Sequence, residues 1–294
     1  MLLNHDVKQI KFALQPLYDL TTRYPPSLSY LTPLHPLFLT TVVRSKHYAF
    51  ALPLLSTPIT AISLVLCPDL TYNDNLVYHY TGGLVWAALK KWSEAEEFFE
   101  SVVCAPGQGA VGSALQLEAL KKLVLVQLIS KGKVRLPSRS LTQILIFLQT
   151  TPPPKYTNTI LLRLFKQTAY HTFVNAYPHQ RTNLVALVKK ESELFNDVRS
   201  CLHSFSDELR ELFFFCQEKN LGLMLQAIER APRWSIKKLT GTYLTLGLTE
   251  IGQTVGIAGE EEVRRVVLDM VKILSRSSSP PSYTSGVCRS KKAR

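Results

Sequence analysis

The sequence predicts a mainly α protein, an α-solenoid of tetratricopeptide-like helical repeats followed by a small winged-helix subdomain that lacks its wing. Three observations predict it. Apolar residues recur at helical spacing in segment after segment, each stopped by proline or glycine. Between Leu76 and Pro106 the pattern matches a tetratricopeptide repeat. From Trp234 to Leu274, three short apolar-periodic segments succeed one another in the order helix, short strand, helix, helix.

Val7 to Tyr24 places Ile10, Leu14, Leu17 and Leu20 on one stripe and ends at Pro25-Pro26, which cannot continue a helix. Leu34 to Ala51 reads as a second helix. The long apolar stretch Ala49 to Leu66 is interrupted by Pro53, Pro58 and four hydroxyl residues, whereas a membrane span needs about 20 predominantly apolar residues. It therefore reads as two short buried helices.

In the central repeat, Gly83 takes the small position where two helices cross, succeeded by Trp86, Ala95, Phe99 and Pro106. Ser93 and Glu96 have the spacing of a capping box for its second helix. One repeat cannot cover its own apolar face, so 113–131, 140–148, 158–176 and 182–193 are expected to be degenerate repeats stacked beside it. Asp207 to Arg230 reads as two consecutive helices, the second, from Gly222 to Ala231, docking the arm onto the C-terminal segment.

In that C-terminal segment, Ile236, Leu239 and Tyr243 mark a helix, and the alternation Tyr243-Leu244-Thr245-Leu246 marks a short strand. Thr249 is the N-cap candidate of a helix closed by Gly256. Glu260, Glu261 and Glu262 open the last helix, where the dipole favours carboxylates, and Val263, Val266, Val267, Met270, Val271 and Leu274 form its stripe. Ser275 to Ser282 has no period-2 apolar pattern, so no wing is expected. The expected domains are a helical arm over 1–205, the winged-helix part over 206–274 and a disordered basic tail over 275–294.

Composition bounds the chemistry. The 294 residues are 46% hydrophobic and 19% charged, enough for a sizeable core, with a net charge of +12. Five of those positive charges, Arg276, Arg289, Lys291, Lys292 and Arg294, lie in the tail with no acid after Asp269, so charge alone argues weakly for nucleic acid. Five scattered cysteines without a C-x-x-C spacing read as reduced thiols. Gly107-Gln-Gly109-Ala-Val-Gly112 matches a dinucleotide-loop pattern, but its feeder has helical periodicity and no acid stands at the required distance beyond it. The seven histidines show no metal-ligand spacing. No catalytic residue, cofactor, metal or small-molecule substrate is expected, and no membrane contact.

The residues left as candidates for partner binding are the strand Thr242, Tyr243, Leu244, Thr245 and Leu246, and the cations Lys237, Lys238, Arg264 and Arg265. For nucleic acid, the three carboxylates at the entry of the last helix would repel phosphate.

Degenerate helical repeats running into a winged helix resemble the PCI family of scaffold subunits found in the proteasome lid, the COP9 signalosome and translation initiation factor 3. Ala51-Leu-Pro53-Leu-Leu55, Tyr78-His-Tyr80-Thr-Gly82-Gly83, Leu117-Glu118-Ala119-Leu-Lys121-Lys122, Gly132-Lys133-Val134 and Ile236-Lys-Lys-Leu239-Thr240 narrow the resemblance to the signalosome branch, from about Pro53 to about Leu274. It implies a PCI region over roughly 113–274 and a non-catalytic scaffold that binds other PCI-type subunits by edge pairing of winged-helix strands. The complex it implies acts in nucleus and cytoplasm and removes a ubiquitin-like modifier from cullins, the chemistry being done by a separate zinc metalloprotease subunit. Alternatives within the family are a subunit of another such complex or a nucleic-acid adaptor. Compared with the family's usual outline, the chain lacks further repeat before its start, and lacks the wing and C-terminal helix after its third helix.

Overall fold

A computed structural model describes residues 7–63, 65–106, 113–136, 159–178, 184–186, 188–189, 220–243, 245–257 and 259–277. The described residues are overwhelmingly helical and form no strand, only one isolated parallel bridge between Tyr30 and Ala61. None of their helices is long and apolar enough to cross a membrane. Two compact units divide the chain, Met1–Arg230 and Ala231–Arg294. The boundary expected at 205/206 lies outside the described residues.

The first unit is a stack of antiparallel helices. Helix α1 (Val7–Arg23) packs on α2 (Leu34–Ser45), and α2 on α4 (Tyr72–Ala88). α1 buries Leu14 and Thr21, while Leu20 is 48% exposed. The inward stripe thus runs one position off the predicted one, because Tyr18 turns in to meet Phe38 and Phe50 at ring distances of 5.9 and 5.6 Å. The predicted helix from Leu34 to Ala51 stops at Ser45, where Lys46 takes a left-handed conformation, and resumes as a 3-10 turn, Tyr48–Ala51.

Of the two short helices expected in 49–66, α3 (Leu52–Leu55) is the one that forms among the described residues. Pro58 breaks the second, and the chain instead runs beside Ser29–Leu31, with Thr60 and Ala61 donating to the Ser29 carbonyl and Leu31 to the Ala61 carbonyl.

The central repeat forms as the spacing requires. α4 and α5 (Trp92–Cys104) cross at Gly82-Gly83, where an added Cβ would lie 2.6 Å from the Phe98 ring and 2.7 Å from the Phe99 ring. Only glycine permits this approach, and Tyr78, Tyr80, Ala95 and Phe99 fill the core around it. The capping box predicted at Ser93 does not form. Lys91 occupies the cap position without a side-chain bond, which leaves Ser93 inside the first turn. Glu96 instead reaches the next helix, accepting from Gln127 at 2.9 Å and pairing with Lys131 at 2.6 Å.

α6 (Ala114–Lys131) begins at a capping box, Ser113 with Gln116, whose Ser-x-x-Gln spacing is legible in the sequence. Gln116 also donates to the carbonyls of Val102 and Ala105, so one amide closes α5 and opens α6. The residues flanking the Gly107–Gly112 loop are thus helical on both sides, unlike a dinucleotide fold; the loop itself lies outside the described residues. α6 is buried along most of its length, from Leu115 to Ile129, as a helix covered on several faces must be.

The repeat expected over 158–176 is split at Gln167-Thr168 into α7 (Thr159–Lys166) and α8 (Ala169–Ala176). Leu184 and Val188 are buried beyond it. The repeat predicted over 140–148 and the helix predicted at 207–219 fall outside the described residues.

Two helices were expected between Gly222 and Tyr243; the chain forms one, α9 (Asn220–Leu239), which accommodates Pro232 within it. Its part up to Arg230 belongs to the first unit. There Tyr177 donates to the Ala227 carbonyl at 3.1 Å, and Arg230 donates to the Ile129 carbonyl at 3.2 Å while stacking over Trp92 at 5.4 Å.

Candidate interaction site

The second unit is built on a small apolar nucleus. Ile236 near the end of α9, Ile257 in the turn and Val263 on α11 (Glu260–Ser277) are its buried residues, flanked by half-buried Leu248, Ile251, Val255, Val266, Val267 and Met270. α10 (Leu248–Val255) can lie close to α11 because its Gly252 has no side chain. A Cβ there would meet the Ile257 carbonyl at 3.2 Å and a Val263 methyl at 3.3 Å. Gly256, at φ 73°, closes α10 as predicted, and Gly259, at φ 103°, turns the chain into α11.

The cap of α10 is Gly247, not Thr249. The Gly247 N–H donates to the Glu250 carboxylate at 3.3 Å, which places Thr249 inside the first turn. α11 does begin with Glu260, Glu261 and Glu262, and it continues to Ser277, beyond the predicted end at Leu274.

Among the described residues of 242–246, where the sequence suggested a strand, none forms. The chain leaves α9 through a turn in which Gly241 donates to Lys238, and Thr242 and Tyr243 donate to Leu239. These bonds back to the helix end take the donors of Thr242 and Tyr243, so those two residues continue the helix cap. Leu244 lies outside the described residues; Thr242, Tyr243 and Thr245 are exposed and Leu246 is half-buried.

The candidate cations are all on the surface and on two helices. Lys237 stacks over Trp234 at 5.2 Å, with Lys238 beside it on α9. On α11, Arg264 is engaged by Glu261 at 3.2 Å and Glu260 at 3.8 Å, pairs between exposed groups that contribute little to stability; Arg265 is exposed next to it. Because the acids at the entry of α11 occupy Arg264, the positive field around it is weaker than the residue count implies.

Sequence reasoning missed Gly252 and Ile257, which decide how the helices of this unit meet. An isolated glycine inside an amphipathic segment was the available signal. Among the described residues no group of three or more metal-ligating side chains comes together, and Cys67 and Cys104 form no disulfide there. The buried His35 is held by Thr32, whose N–H donates to Nδ1 at 3.2 Å, and its ring meets Tyr78 edge-on at 5.8 Å. Burial lowers its pKa from 6.5 to about 4, which makes it a neutral core residue.

A sequence model of the COP9 signalosome complex subunit 3 N-terminal helical repeats matches residues 2–145. Over those residues the chain is similar to that family. The match includes the α4–α5 crossing and every helix from α1 to α6. COP9 signalosome complex subunit 3 of Dictyostelium discoideum is 30% identical over 247 residues, covering 82% of this chain and 49% of that protein. The protein of the same name from Drosophila melanogaster is 28% identical over 259 residues, with the same two shares. The chain spans about half the length of these curated relatives.

Proposed function

We propose that this chain is a non-catalytic scaffold subunit of a COP9 signalosome-type complex, in nucleus and cytoplasm, which supports cullin deneddylation by holding neighbouring subunits. The observation that carries the proposal is the subunit 3 repeat family's match to an arm whose helices are committed to packing, joined to a compact three-helix unit. That unit's order, helix, turn, helix, helix, is that of the helical part of a winged helix, and its exposed residues are the ones available to partners. In this reading Thr242, Tyr243, Thr245 and Leu246, with Lys237, Lys238, Arg264 and Arg265, contact PCI-type neighbours. Side-chain and cap contacts replace strand pairing, since the turn after α9 uses its own donors.

Co-purification of the full tagged chain from nuclear and cytoplasmic fractions tests this. Recovery of signalosome subunits from both fractions is expected, and Tyr243→Ala with Lys237→Glu should reduce it at least fivefold. Recovery of the chain alone from both fractions would overturn the scaffold reading. The nucleic-acid adaptor alternative predicts affinity that falls steeply with salt; the ion pairs at Arg264 weigh against it.

A further inference from the structure

A cluster of cations stands at one end of the arm. The turn between α4 and α5 carries Lys90 and Lys91, with Lys90 in a left-handed conformation. Because α4, α5 and α6 run antiparallel in turn, the same end receives Lys131 and the segment immediately after it. Arg230 comes to this end as well, through its contacts with Trp92 and the Ile129 carbonyl.

The segment after α6 is held in place. Gly132, at φ 70°, closes the helix, and the Gln127 side chain then grips Arg135 by both backbone groups, accepting its N–H at 2.9 Å and donating to its carbonyl at 2.8 Å. Lys133 and Arg135, two residues apart, are both exposed, with half-buried Val134 between them. Neither Lys90, Lys133 nor Arg135 forms an ion pair with a described residue. The carboxylates of the first turns of α5 only partly balance the cluster, because Glu96 is taken by Lys131 and Gln127, leaving Glu94 and Glu97.

We infer that this end of the arm, presenting Lys90, Lys91, Lys133 and Arg135, is a docking face for an acidic peptide segment of a partner protein. Cations on a pinned backbone bind a chain of carboxylates without first ordering themselves, which saves part of the entropy of association. Single-stranded nucleic acid fits less well, since it needs open aromatic faces for stacking. Here each indole already carries a cation, Lys91 over Trp86 at 4.7 Å and Arg230 over Trp92, and Trp86 is only 4% exposed.

The test is fluorescence anisotropy on the full chain with three labelled probes of equal length, oligoglutamate, oligoglutamine and oligothymidylate. Oligoglutamate should bind at least tenfold tighter than either of the others. Lys133→Glu with Arg135→Glu should weaken it at least tenfold, while Lys11→Glu with Arg23→Glu, the same change in charge on α1, should leave it within twofold. Circular dichroism checks that both pairs keep their helix content, and Lys133→Gln with Arg135→Gln replaces the reversal if it does not fold. Tighter binding of oligothymidylate, equal losses from the two pairs of reversals, or no binding of oligoglutamate would each overturn the inference.

Discussion

The arm and the C-terminal unit are both helical, but they spend their apolar residues differently. Around the α4–α5 crossing, Tyr78, Tyr80, Phe38 and Phe99 are essentially inaccessible, and α6 is covered over most of its turns. Among the described residues of the C-terminal unit, the core cluster buries Val263 fully and leaves Ile236 and Ile257 slightly accessible, while Tyr243, Leu268 and Val271 remain more than half exposed. The arm thus has the larger closed core, while both units leave single large apolar side chains exposed, Phe12 and Val65 on the arm among them.

Mutations that test this contrast separate by size of effect. Phe99→Ala removes a ring packed against Gly83 in a fully buried site and should cost the arm about 3–5 kcal/mol, measured by urea denaturation. Val263→Ala, at the centre of the smaller nucleus, should cost roughly 1–2 kcal/mol. Equal losses at the two sites would erase the distinction.

Acid should act on the arm. His35 stays neutral when folded down to pH about 4 but takes a proton near 6.5 when unfolded. Its folded pKa is the lower of the two, so the stability it provides is complete above pH 6.5 and is lost as pH falls towards 4, by about 3 kcal/mol. His35→Asn, whose carbonyl can accept the Thr32 N–H, should flatten the pH profile across that window. A profile unchanged by the substitution would show that His35 is not responsible.

Smaller effects should appear at the caps and the exposed site. Ser113→Ala removes one half of the box that opens α6 and should cost about 1 kcal/mol. Tyr243→Ala should change stability by less than about 0.5 kcal/mol, since its ring is 52% exposed, and should act on partner binding alone.

Much of this was readable in the residues. The crossing at Gly83, the helix stop at Gly256 and the acidic start of α11 obey local rules, because each depends on neighbours within a turn or on a close helix pair. The readings that failed involved competition with tertiary contacts. Glu96 had a capping partner nearby in Ser93 but bonds to Lys131 and Gln127, which lie close only once α6 packs. The alternation Tyr243 to Leu246 had strand periodicity, yet a strand needs a partner strand and the helix end offered carbonyls first. The continuity of α9 through Pro232 was hidden for a similar reason, since packing on both sides of a proline can hold a helix that propensity alone would break. For the interaction site, the residues were legible as exposed, but the ion pairs that occupy Arg264 depended on rotamers that the sequence does not specify.

The scaffold account is tested most directly by complementation, in which the mass of the signalosome is measured by native mass spectrometry in cells depleted of their own subunit 3 and supplied with this chain. The account predicts a complex that contains the chain in one copy and falls apart when Tyr243→Ala and Lys237→Glu are combined. A population in which the chain remains a free monomer, while the other subunits stay unassembled, would contradict it.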